Sequence, residues 1–169
     1  QTPEELRKAL EQNRCVCTGR SAKTGKLTAP TLPMEVLAAL ADYVLVEADG
    51  SRGLPCKAHR SYEPVVPGKT GLVIVLVGAS CFGRPVREAV HRTEEFWLLT
   101  DLELEDLVTP EAVAELLQSE APASGPPIKV FINQVEDGLA WNSARRLAEL
   151  LPWPVYAGAL KRRRWICLS

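Results

Sequence analysis

No apolar run in this sequence approaches the length of a membrane span, and its first residues (QTPEEL) lack the basic and apolar regions of a signal peptide, so the chain reads as soluble. It has little excess charge of either sign. Twenty Lys and Arg against 21 Asp and Glu leave a formal net charge of -1, and apolar residues make up 46%, which excludes both a disordered tail and a broadly basic nucleic-acid binder. A disulfide framework is missing as well. Five cysteines (Cys15, Cys17, Cys56, Cys81 and Cys167) are an odd number with one close pair, a pattern that suits neither a disulfide scaffold nor a zinc ribbon and points to a reducing cytoplasm. No internal repeat is visible. The 169 residues suffice for one ordinary domain with its own core, expected over residues 1–160, with residues 161–169 as a basic, frayed tail. The chain opens on Gln1 and enters a helical pattern almost at once, so the reading expects a segment upstream of it.

Strand and helix patterns alternate along the chain. Thr2-Pro3-Glu4 is a cap, a first-turn proline and an acid, and with Leu6 and Leu10 it predicts a helix to about residue 13. A brief strand is expected at residues 15–18, a turn over residues 19–25, and a helix opening at Pro33 with Val36, Leu37 and Leu40 on one face. Residues 43–49 read as a strand, and residues 55–69, with three prolines, as a surface loop. The continuous apolar run at residues 71–77 has the pattern of a strand covered on both faces. Helices are expected at residues 94–100, 109–118 and 142–151, and further strands at residues 128–132 and 154–160. The fold class is therefore α/β, a mostly parallel sheet flanked by helices, and ligands of such folds gather at the carboxyl ends of strands.

Three strand ends carry chemistry: residues 47–49, 78–80 and 133–137. Glu47 and Asp49 share a face of the expected strand, and two carboxylates so close call for Mg²⁺ or a basic partner between them. Arg52 and Lys57 are the nearest cations, while Gly50 and Gly53 permit the sharp turn that follows. A second cationic group, Arg84, Arg87, His91 and Arg92, is more often a solvated face than an anion site.

The run at residues 46–55 (VEADGSRGLP) with Lys57-Ala58, then residues 63–67 (EPVVP), 90–92 (VHR) and 131–133 (FIN), resembles the YqeC family of accessory proteins for selenium-dependent hydroxylases. The resemblance implies a P-loop NTPase-like three-layer fold, Mg²⁺ with ATP or GTP, and a cytoplasmic role in maturing selenium-dependent molybdenum hydroxylases. It further implies Asp49 and Glu47 as the catalytic and metal-binding acids. Ser51, Arg52 and Lys57 are implied to contact phosphate, and Asn133 to lie near the base. The expected partner is a molybdenum hydroxylase or its cofactor-insertion machinery, with no membrane or nucleic acid. The chain departs from the family pattern in three places. The Gly-rich phosphate loop is absent, echoed only by residues 21–25 (SAKTG), which read as a turn; Cys56 and His59 stand where leucine and proline are usual; and Gln134 and Glu136 replace the lysine and aspartate of an Asn-Lys-x-Asp segment. A non-enzymatic adaptor, docking its partner through the loop after Asp49, is the alternative. A metal or selenium carrier built on Cys56, Cys81 and His59 is a third, weaker reading.

Overall fold

A computed structural model of the protein describes residues 2–22 and 25–169. The sequence echo at residues 21–25 therefore lies partly outside the described residues. The residues cluster into two compact units, Gln1–Glu47 and Ala48–Ser169.

In the first unit, α1 (Pro3–Gln12) begins as its sequence dictates. The Thr2 side chain accepts from the Glu5 amide, and the Glu5 carboxylate accepts from the Thr2 amide at 2.8 Å, so two otherwise orphaned donors are satisfied reciprocally. Leu6 of α1 and Leu37 of α2 (Met34–Leu40) are the buried residues of these two helices, which pack on one another. Between them the predicted strand at residues 15–18 does not form. Instead β1 (Arg20–Ser21) and β2 (Leu27–Thr28) pair antiparallel, with the Ala22 amide bonded to the Lys26 carbonyl at 2.8 Å.

The predicted strand at residues 43–49 is also absent. The segment has no ladder partner, and Tyr43 and Leu45 are 87% and 92% exposed. Its β-branched composition supplies propensity, but strand formation needs a neighbour's hydrogen bonds.

The second unit is organised on a four-stranded mixed sheet, order β4-β6-β7-β8: β4 (Val73–Gly78), β6 (Ile128–Asn133) and β7 (Val155–Ala159) run parallel, and β8 (Arg164–Cys167) is antiparallel to β7. A separate parallel pair joins β3 (Cys56–Lys57) to β5 (Val90–His91). The chain is thus α/β with small sheets of mixed direction. Between β4 and β6 lie α3 (Val86–Ala89), β5, α4 (Thr93–Thr100) and α5 (Pro110–Glu120); α6 (Gly138–Leu150) connects β6 to β7. Thr109 caps α5 and Asp137 caps α6, so α6 starts four residues ahead of its predicted start at residue 142.

Val130, Ile132, Val155 and Ala157 point into a core shared with Val113, Leu116, Leu117, Ala144 and Leu147. On the other face of the sheet the edge strand β4 is open, while Phe131 and Tyr156 are half-buried. Ile74 and Leu76 are 56% and 65% exposed, which corrects the expectation of a strand covered on both sides: an apolar run shows that both faces tolerate burial, not that both are covered.

The tail expected at residues 161–169 is instead β8. A 3-10 turn (Leu160–Arg162) and Arg163 in the left-handed region (φ 53°) reverse the chain, and Trp165 lies opposite Gly158. Only glycine fits there, since a Cβ at Gly158 would stand 2.6 Å from the Trp165 Cα. Among the described residues no helix is long and apolar enough to cross a membrane.

Candidate functional site

The expected surface loop at residues 55–69 is exposed or half-buried over residues 59–69 but dips into the core at its start. Cys56, Lys57 and Ala58 are buried, because β3 pairs with β5 and the Ala58 amide bonds to the His91 carbonyl at 3.1 Å. The turn before it is tight: the Leu54 amide bonds to the Ser51 carbonyl at 3.1 Å, with Arg52 (φ 55°) and Gly53 (φ 82°) both in the left-handed region. Gly53 takes that conformation freely; Arg52 takes it at a cost, in a loop whose ends are held.

Burying an ammonium needs counter-charge, and the sequence supplies it from both sides. Lys57 Nζ, on a side chain 6% exposed, lies 3.2 Å from Asp49 and 3.0 Å from Glu63. Glu63 in turn accepts from Arg92 at 2.6 Å. The other end of the chain of charges is His59, whose ring joins Asp49 through Nε2 and Glu120 through Nδ1, the latter at 2.6 Å. Its main-chain amide donates to the same Glu120 carboxylate at 2.5 Å. A continuous line, Glu120, His59, Asp49, Lys57, Glu63, Arg92, thus alternates in sign.

Burial pulls His59 toward its neutral form, but the hydrogen bond and charge of Glu120, with Asp49 behind, outweigh it and hold the pKa above the ordinary value. Burial raises the Glu63 carboxyl, and the bond and charge of Lys57 with the charge of Arg92 more than reverse this, leaving it below the usual range. His91 is pushed down by burial and by the charges of Arg52, Arg92 and Lys57, so a neutral ring sits among cations. Lys57 Nζ and Glu63 Oε2 are both buried and face one another as an ion pair outside hydrogen-bond alignment, while Arg92 Nε is buried without an acceptor.

The second and third strand ends meet. Gly78 and Asn133 are register partners, and Ser80 Oγ donates to Gln134 Oε1 at 2.7 Å. The loop after Asp49 reaches the same place, with the Gly78 amide bonded to the Pro55 carbonyl at 2.7 Å. A cavity of about 540 Å³ opens at these carboxyl ends, bordered by Ser80, Asn133, Gln134, Asp137 and Lys161 among others. Asn133 Oδ1 faces its own fold, accepting from the Leu160 amide at 3.0 Å.

Of the residues singled out from sequence, Asp49, Arg52, Lys57 and Asn133 fall in the second unit, but only Asn133 borders the cavity at the strand ends; Asp49 and Lys57 belong to the ion line, Ser51 opens the tight turn, and Glu47 ends the first unit, exposed. Sequence reasoning left Glu120, Glu63 and Arg92 outside the candidate site and treated His59 as a departure. Glu120, 61 residues from His59, carries no sequence signal for that role. Cys56 and Cys81 are both buried, and the Cys56 thiol followed by burial pushes the Cys81 thiol well up, away from the thiolate. Among the described residues no group of three or more His, Cys, Asp or Glu is arranged to hold a metal ion.

A model of the YqeC protein family matches residues 1–94, more than half of the chain. The chain belongs to the YqeC family. A curated relative from Escherichia coli (strain K12), named uncharacterized protein YqeC, is 41% identical over 76 residues. That alignment covers 44% of this chain and 27% of the relative, so the chain spans well under two thirds of the length of the relative it matches. No solved structure matches. The family match takes in Asp49, Lys57, His59, Glu63 and Arg92, while Glu120 and Asn133 lie beyond it.

Proposed function

We propose that this YqeC-family chain is part of a nucleotide-dependent accessory protein that serves the maturation of selenium-dependent molybdenum hydroxylases, with Mg²⁺ and ATP or GTP bound on a P-loop NTPase-like sheet. The observation that supports the reading is the convergence of three cations, Arg52, Arg92 and Lys57, on His91 beside the Asp49 carboxylate, with Arg92 Nε buried and without an acceptor. Phosphate oxygens would supply the acceptor that this guanidinium N–H lacks.

The donor set fits Mg²⁺ narrowly. Asp49 Oδ2 is engaged by Lys57 and His59, and Oδ1 remains as the oxygen a cation would take; Mg²⁺ commonly uses one or two carboxylates and completes its shell with water and substrate phosphate. The metal would supply charge neutralisation between phosphoryl oxygens. Lys57 would turn from Glu63 toward phosphate, Arg92 and Arg52 would meet its outer oxygens, Ser51 would contact phosphate from the turn, and Asn133 would border the base. Glu47, two residues before Asp49 in the chain, would be the second metal-binding acid. Calorimetry of Mg²⁺-nucleotide on the intact protein tests this: Asp49→Ala abolishes binding, and unchanged binding removes Asp49 from the site.

A second reading, a non-enzymatic adaptor, is favoured by the loop itself. Tyr62 and Val65 are 61% and 67% exposed on a segment anchored by Glu63, an apolar surface on a rigid base. Under that reading Tyr62→Ser/Val65→Ser loses capture of a molybdenum hydroxylase while nucleotide has no effect; retention of capture by that variant rejects it.

A further inference from the structure

We propose that the basic turn after β7, with Trp141 of α6 beside it, is a second ligand site, which takes a planar heterocycle bearing phosphate, of the mononucleotide class. A cavity of about 550 Å³ opens where β7, β8 and α6 meet, bordered by Trp141, Gly158, Arg162, Arg163, Arg164 and Trp165. Its size is that of a small-molecule site. Arg162 reaches Glu136 at 3.3 Å, whereas Arg163 and Arg164 have no acidic partner among the described residues. Glu136, paired to Arg162, borders the cavity too, so the lining carries three guanidinium groups against one carboxylate.

The chemistry of the lining names the ligand. Guanidinium forks match phosphate bidentately, and an indole offers a face on which a flat ring stacks. A solvated basic tail would lose much freedom on gripping an anion; here the β7–β8 ladder, from Ala159 opposite Arg164 to Tyr156 opposite Cys167, already fixes the backbone that carries the arginines. An acidic peptide would answer the arginines but not Trp141, and a nucleic-acid strand needs a longer basic track than one turn. The site is separate from the Asp49 cluster and needs no metal.

Titration of the full chain with AMP, adenosine and inorganic phosphate, by calorimetry without added metal, tests the proposal. AMP binds more tightly than either fragment, and Arg163→Glu/Arg164→Glu weakens it by roughly tenfold or more, as loss of two charge-assisted contacts requires. Arg163→Gln/Arg164→Gln gives the same direction if charge reversal loosens β8. The proposal is overturned if AMP does not bind, if phosphate alone binds as well as AMP, if both variants bind AMP like the parent, or if a single-stranded oligonucleotide binds far more tightly with a steep salt dependence.

Discussion

Replacing Lys57 with methionine keeps most of the side chain's volume and removes the charge at the centre of the ion line. Asp49 and Glu63, 22% and 17% exposed, would each lose a cation within 3.2 Å. Breaking a buried pair from one side costs about 3–5 kcal/mol when the remaining charge is left alone. Here it is not left alone: Asp49 keeps His59, Glu63 keeps Arg92, and both carboxylates reach some water. We expect a loss of about 2 kcal/mol, toward the lower side for those reasons. All four tryptophans lie in the Ala48–Ser169 unit, so their fluorescence in urea reports that unit alone. With a slope of about 2 kcal/mol per molar urea, the midpoint should fall by about 1 M at unchanged slope. If Lys57→Met is as stable as the parent, the line of alternating charge does not hold the loop as argued.

The same line gives opposite slopes at the two ends of the pH range. Glu63 has a folded pKa below its unfolded value, so its contribution is complete above the ordinary carboxylate range and disappears as pH falls through the folded pKa; Glu63→Gln should flatten the acid limb of stability against pH. His59 has a folded pKa above its unfolded value, so its contribution is complete below about pH 6.5 and fades as pH rises through the folded pKa; His59→Gln should flatten that limb, measured by midpoint at each pH. Gly158→Ala should detach β8 from β7, lowering the melting temperature and opening the Lys161–Arg164 peptide bonds to trypsin; equal proteolysis rates in parent and variant would contradict the packing described.

Local chemistry wrote the helices. Thr2-Pro3-Glu4-Glu5 and Thr109-Pro110-Glu111 announce α1 and α5 because caps act over three or four residues, and the apolar runs at residues 73–77 and 128–132 announce β4 and β6 for the same reason of short range. Sequence also drew attention to Asp49 and Lys57, whose types and spacing suggested a charge pair, and the family likeness rested on those same residues. What sequence could not decide is everything that depends on a distant partner. Whether residues 43–49 become a strand depends on a neighbour's backbone, not on Val44 and Val46; whether residues 164–167 fray or form β8 depends on Gly158 leaving room for Trp165. The candidate site divides in the same way. Glu120 meets His59 only because α5 ends where β3 leads, and Arg92 meets Glu63 across 29 residues, so the burial that makes these charges matter exists only once the chain has closed on itself.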